Sequence, residues 1–255
     1  MRISRPRNIW RKLRRAPPAL LVALGVSACV GFWLSANALV QFARKPSEIF
    51  SPVSGALDKL PAETWRSYEP IFRAHATATI TPDFLAALAQ VEGAGNPVAS
   101  TPWRWRLTED PFDVYRPASS AVGMFQITNG TYQQAKRYCI HGNEVAEVGP
   151  WYDWNSCWFN WFYVRVVPSH AAEMTSAFLD ISVSRTLRQL KKEGATLREK
   201  QDLAAIMHLC GVAAGEGFAR RGFRLASNQR CGGQNVGAYL GQLRALQRTF
   251  AALER

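Results

Sequence analysis

Glu92 stands where an acid–base catalyst would place a carboxyl group. It directly follows a stripe of apolar residues, Phe84, Leu85, Leu88 and Val91, that recur at helical spacing behind Thr81-Pro82. Those two residues suit an N-cap and a first-turn proline. Gly93, Gly95 and Asn96-Pro97 stop the pattern just beyond Glu92, because neither glycine nor proline continues a helix well. The spacing predicts a carboxyl at the last turn of a buried helix, where the helix dipole and apolar neighbours both oppose ionisation. A carboxylic acid held that way can donate a proton near neutral pH. The competing reading, on position alone, is a solvated residue closing the helix.

Other chemistries find less support. Cleaving a glycosidic bond needs a proton donor and a group that relieves the positive charge growing on the sugar. A second carboxylate would come from Glu109, Asp110 or Asp113. Nothing in the spacing fixes their distance from Glu92, and surface charge is the simpler explanation of all three. A zinc site is not expected, since no Cys-x-x-Cys pair occurs and His75, His141, His170 and His208 are scattered. A Cys–His nucleophile is not expected either, because Cys210 falls on the apolar face of a predicted helix.

Two further runs join Glu92. Gln90-Val91-Glu92-Gly93-Ala94-Gly95-Asn96-Pro97 is followed downstream by Ala118-Ser119-Ser120-Ala121-Val122-Gly123-Met124-Phe125-Gln126-Ile127 and Thr128-Asn129-Gly130-Thr131-Tyr132. In this order they resemble the soluble lytic transglycosylase domain, a lysozyme-like family reading E-S-x-x-N-P, then S-x-x-G-A-x-G-L-M-Q-I, then a threonine-rich helix start. The likeness rests on Glu92, Asn96, Pro97, Gly123, Gln126, Ile127 and Thr131. It departs at Gly93, where serine is usual, and at Met124-Phe125, where Leu-Met is usual. The family's later Ala-Tyr-Asn-Ala-Gly, whose Tyr and Asn border the cleft, has its best counterpart in His208-Leu209-Cys210-Gly211. There His208 could replace the tyrosine as a hydrogen-bonding group, whereas Leu209 cannot act as an asparagine. The resemblance covers about 81–138, weakens towards Gly211, and is absent before residue 60.

The resemblance implies that one glutamate does the chemistry. Glu92 would protonate the bond between N-acetylmuramic acid and N-acetylglucosamine, with the substrate's own N-acetyl group assisting. It would then act as base towards the C6 hydroxyl, giving a 1,6-anhydro product without consuming water. No metal or cofactor is implied. Gln126 and the backbone around Met124 and Phe125 would line the cleft, with Tyr132 and His208 as further substrate contacts. Core packing is the alternative for Met124 and Phe125, and packing on the 81–91 helix for Tyr132.

The elements that must position these residues are mainly helical. Trp65, Tyr68 and Phe72 share one face of a helix over 61–76, which the resemblance places beneath the one ending at Glu92. Thr128 is a candidate N-cap for a helix to about Tyr138, ended by Cys139. Pro168 starts an amphipathic helix reaching about Gly194, with Met174, Phe178, Ile181 and Leu187 inward. Helices over about 198–212, with Leu203, Ile206, Met207 and Cys210 inward, and over 236–253, with Tyr239, Leu240, Leu243, Leu246 and Phe250, complete the pattern. The aromatic-rich span between Asn96 and Ser119, holding Trp103, Trp105, Phe112 and Tyr115, is long for a plain loop and is expected to form a cleft wall. The tryptophan-rich stretch Trp151–Trp161 carries no clear period. Nine tryptophans and seven tyrosines suit sugar stacking and ordinary packing equally.

Charge and hydropathy place the chain at a membrane. Of the 255 residues 47% are hydrophobic and 20% charged, with a net charge of +12. Seven basic residues (Arg2, Arg5, Arg7, Arg11, Lys12, Arg14 and Arg15) and no acid lie before residue 18, and taking them from +12 leaves +5 for the remainder. That excess is spread rather than striped, so no nucleic-acid partner is expected, and the N-terminal cluster fits topology. Residues 19–42 contain no charged side chain and as a helix would span about 36 Å, enough to cross a bilayer. The expected organisation is a basic cytoplasmic N-terminus (1–18), a transmembrane anchor (19–42), a linker (43–60) and a lysozyme-like domain (61–255) facing the periplasm from the inner membrane. Val26-Ser27-Ala28-Cys29 also resembles a lipoprotein processing box, which would make Cys29 a lipidated N-terminus instead.

The four cysteines beyond the apolar segment, Cys139, Cys157, Cys210 and Cys231, are expected to form two disulfides in an oxidising compartment. Three pairings are open. Cys139–Cys157 and Cys210–Cys231 close short loops of about twenty residues and are the expected pair, each stabilising by roughly 3 kcal/mol in the chain-entropy picture. The reading is thus a mainly α, lysozyme-like domain behind one transmembrane helix, acting on peptidoglycan as a lytic transglycosylase. A lysozyme-type hydrolase on the same fold is one alternative. A non-catalytic wall-binding module, serving an envelope-spanning secretion or conjugation complex, is another.

Overall fold

A computed structural model describes residues 17–153 and 155–254. The basic stretch assigned to the cytoplasm lies, up to residue 16, outside the described residues. The chain divides into a smaller unit, residues up to Glu48 with Trp103–Pro117, and a larger unit, Ile49–Pro102 with Ala118 onwards.

The smaller unit is built on helix α1, Pro18–Arg44. It is long and apolar enough to cross a membrane. Its aliphatic residues from Leu20 to Leu39 are largely exposed, while the amides Asn37 and Gln41 are buried. The reason lies in a ribbon of β1 (Trp103–Trp105) and β2 (Tyr115–Pro117), antiparallel with Trp105 opposite Tyr115. Asn37 Nδ2 donates to the Tyr115 carbonyl at 2.6 Å and Gln41 Nε2 to that of Phe112 at 2.5 Å, so each buried amide finds a backbone acceptor. Trp33 stacks on Trp105, and Phe42 meets Trp103 edge-on. The aromatic span expected as a cleft wall therefore packs on α1. Asp113 and Asp110, two of the candidate second carboxylates, pair with Arg44 at 2.7 and 3.5 Å.

The larger unit is mainly helical. After the helical turns Pro46–Phe50, α2 (Ser51–Ser54) and Gly55–Leu57 come α3 (Pro61–Ala74) and α4 (Pro82–Gly93). Every residue of α4 from Phe84 to Ala89 is fully buried, as befits a helix with neighbours all round. Trp65, Tyr68 and Phe72 of α3 pack into the same core. Thr81 does stand at the N-cap position, but its hydroxyl makes no cap bond and accepts from Gln201 Nε2 at 3.0 Å.

Downstream, α5 (Asn129–Ala135) is capped by Thr128, whose side chain accepts from the Thr131 amide. It ends short of the predicted Tyr138, because Tyr138–His141 is a strand, β3, paired with β4 (Glu144–Glu147). A 3-10 turn, Trp158–Phe162, leads to α6 (Pro168–Gln189), which stops before Gly194. Met174 and Leu187 of α6 are buried, while Phe178 and Ile181 are half-buried against Tyr138 and Ile140. Next come α7 (Leu197–Cys210) and a helix not foreseen, α8 (Val212–Arg220). Gly211, at φ 85°, turns the chain between them in a conformation that L side chains rarely adopt. A two-residue ribbon, β5 (Arg230–Cys231) and β6 (Gln234–Asn235), precedes α9 (Val236–Leu253). Both disulfides form as expected, Cys139–Cys157 and Cys210–Cys231, and Cys29 is an exposed free thiol on α1.

Candidate active site

The end of α4 is held from several sides. Gln90 accepts from the Thr64 hydroxyl at 2.7 Å and donates to the Lys59 carbonyl at 2.9 Å. Ala94 leaves the helix in the left-handed region at φ 49°, and the amides of Ala94 and Gly95 bond back to Gln90 and Ala89. Asn96, almost wholly buried, donates to the Ser54 carbonyl and hydroxyl and to Asp58, and accepts from the Val98 amide. The segment 43–60, expected as a linker, thus supplies from Ser54 to Lys59 the acceptors that fix the loop after Glu92.

Gly93 explains one departure from the family pattern. A Cβ there would lie 2.8 Å from Met124 Cα and 2.9 Å from its carbonyl oxygen, too close for any side chain. The end of α4 rests directly on the backbone of the Gly123–Gln126 turn. Within that turn Met124 and Phe125 are completely buried. Their side chains pack the core, the packing alternative read for them, so any share they have in the groove falls to their backbone. Gln126, at φ 45°, does line the groove with Glu92. Its Nε2 donates to the carbonyls of Ala99 and Gly123, leaving Oε1 as the acceptor it can offer. Tyr132 is not among the groove's described lining. Its hydroxyl donates to the Tyr163 carbonyl, with Lys136 over its ring, and its ring packs against the core to which α4 belongs.

The groove beside Glu92 has a volume of about 890 Å³. Val91, Ser119, Gln126, His208, Leu209, Arg230 and Gln234 are among its walls, all from the larger unit. Glu92 is the one carboxylate among its described lining residues. The Glu92 side chain is 16% exposed, neither sealed off nor free in solvent. Tyr239, from α9, donates its hydroxyl to Glu92 Oε1 at 2.5 Å. Burial first, then the Glu92 charge and that hydrogen bond, hold the Tyr239 phenol well above its ordinary range, so it remains a donor. His208 Nε2 stands 3.8 Å from the same Oε1, close enough for an ion pair when protonated and too long for a hydrogen bond.

Of the sequence-derived site residues, Glu92, Gln126 and His208 line one groove, whose described lining does not include Met124, Phe125 or Tyr132, although the Met124 backbone rests against the end of α4 beside Glu92. In the sequence Tyr239 stands only as one member of an apolar stripe. A tyrosine among the leucines of a buried helix face needs a partner for its hydroxyl, and that was the available signal. The Cys210–Cys231 bridge also belongs to the site, since both cysteines line the groove and tie the β5–β6 ribbon to the end of α7. No three His, Cys, Asp or Glu side chains among the described residues cluster so as to hold a metal ion. No family model, curated protein or solved structure matches this chain.

Proposed function

We propose that the chain is a membrane-anchored lytic transglycosylase of peptidoglycan with a lysozyme-like catalytic domain. The observation that carries this reading is a lone glutamate among the described lining of a groove of about 890 Å³, with one carboxylate oxygen occupied by a buried tyrosine donor. With Oε1 engaged by Tyr239, Oε2 is the atom that delivers the proton. It goes to the glycosidic oxygen as the C1–O bond breaks, and the substrate's N-acetyl oxygen closes on C1. The carboxylate then removes the C6 hydroxyl proton, and O6 displaces the acetamido oxygen from C1. Glu92 ends protonated, as it began, and no water is used. The single carboxylate in the groove supports this route over a two-carboxylate one.

The placement rests on α1, a helix long and apolar enough to cross a membrane. The apolar run continues past Cys29 and exceeds the roughly 7–15 residues of a cleaved signal's core, which favours an uncleaved anchor. Two disulfides fit an oxidising compartment, and the preceding basic residues orient the larger unit to the periplasm.

The test is digestion of purified sacculi by wild type and Glu92→Gln, with mass spectrometry of the released muropeptides. Anhydro ends from the wild type alone are the expected result. Reducing ends would replace the reading by a hydrolase, and equal clearance by both proteins would replace it by a wall-binding scaffold.

A further inference from the structure

Between the first disulfide and α6 the larger unit presents aromatic side chains to solvent where a soluble surface would bury them. Trp151 and Trp161 keep 76% and 77% of their surface, Phe162 keeps 63%, and Tyr152, Phe159 and Val164 are also exposed. So many large apolar groups within fourteen residues mark an interaction surface. The presentation is built rather than loose. Cys157 bridges to Cys139 of β3, and Asn160, buried at the centre of the 3-10 turn, donates to the Tyr138 carbonyl at 2.5 Å. With Asn160 drawn inward, its neighbours Phe159, Trp161 and Phe162 are turned outward. Phe159 and Phe162 have ring centroids 5.8 Å apart, and Phe159 meets Trp158 at 4.7 Å. Lys136 sits at the edge of the patch, its ammonium 5.4 Å from the Trp161 ring centre and donating to the Trp161 carbonyl.

We infer that this aromatic face docks on the headgroup region of an anionic phospholipid bilayer, as a second membrane contact besides α1. Tryptophan, tyrosine and phenylalanine favour the bilayer interface, where ring bodies meet acyl chains and polar edges meet headgroups. A lysine beside them adds attraction to anionic lipid. The inference rests on the anchor reading only in that α1 would keep a bilayer within reach. A glycan strand is the weaker candidate, because the described lining of the Glu92 groove includes none of residues 151–164.

The test uses the full chain, whose one thiol outside the disulfides is Cys29. Trp161→Cys and Phe162→Cys, each in a Cys29→Ser background, are labelled with bimane without reductant. They are reconstituted into vesicles of phosphatidylethanolamine and phosphatidylglycerol that carry a nitroxide at a shallow acyl position. Thr249→Cys, on the exposed side of α9, is the reference. All three positions are solvent-exposed, and unchanged melting temperatures confirm that the variants fold. The expected result is severalfold stronger quenching at 161 and 162 than at 249, weakened when phosphatidylglycerol is left out. Equal quenching at the three positions overturns the inference. So does shielding at 161 and 162 that appears only on adding sacculi or only on raising protein density, which would assign the face to glycan or to a second copy. Bimane on native Cys29 reports separately on the anchor, and Glu92→Gln is expected to leave all quenching unchanged, so failure of the enzymatic reading shows up independently.

Discussion

Tyr239 reaches across 147 positions of chain to donate its hydroxyl to Glu92 Oε1 at 2.5 Å. The bond joins the last helix of the molecule to the end of its most buried one. It occupies one of the two carboxylate oxygens.

Tyr239→Phe keeps the ring and removes the donor. A hydrogen bond to a charged group contributes about 1.5–3 kcal/mol, so the rate of sacculus cleavage should fall roughly 10- to 100-fold. Turnover assays paired with thermal melts check this. If the rate is unchanged while the melting temperature drops, Tyr239 is a packing residue alone.

Gly93→Ser restores the residue usual in the resembling family and should nevertheless harm this protein. The new Cβ would meet Met124 Cα and carbonyl at 2.8 and 2.9 Å. Forcing the α4 end off the Gly123–Gln126 turn should cost about 1–3 kcal/mol. Denaturant unfolding measures it, and an unaltered midpoint would show that the backbones can part freely.

Loss of the Cys210–Cys231 bridge should affect activity more than loss of Cys139–Cys157. Either double serine variant should forfeit about 3 kcal/mol in the chain-entropy picture. Only Cys210 and Cys231 line the groove, so only their removal frees a groove wall. Comparing residual activity of the two variants at matched fraction folded decides the point.

Acid should destabilise the larger unit through His75. Burial pushes its imidazole below the usual value, with Glu173 opposing and His170 reinforcing the shift. Because the folded value is the lower one, the unfolded chain takes up the proton first as pH falls. Stability is therefore full above about pH 6.5 and declines below it, by up to about 1.4 kcal/mol per pH unit, until the folded group also titrates. Melting curves from pH 7.5 to 5 should show a shallower decline for His75→Gln, and superimposable curves would remove His75 from the account.

Much of the architecture was legible because helices announce themselves locally. The period of Phe84, Leu85 and Leu88, the stop at Gly93 and the cap at Thr128 all act within a turn or two of chain. For the same reason α9 has the bounds read from its pattern, Val236–Leu253. The disulfide partners were also legible, since short loops close at the least entropic cost. The strands β3 and β4 were not, because a four-residue ribbon leaves too short a period to set against a helix.

By itself the sequence determined the helical elements, the apolar N-terminal segment, the bridged cysteines and the position of Glu92 at a helix end. Tertiary structure alone decided which groups reach that carboxylate: Tyr239 and His208 come close, while Met124 and Phe125 turn into the core and the 103–117 aromatics go to α1. Periodicity reports which face of an element is apolar, whereas a site is made by side chains from distant elements. Only packing, with every buried donor seeking an acceptor, brings those side chains to one point.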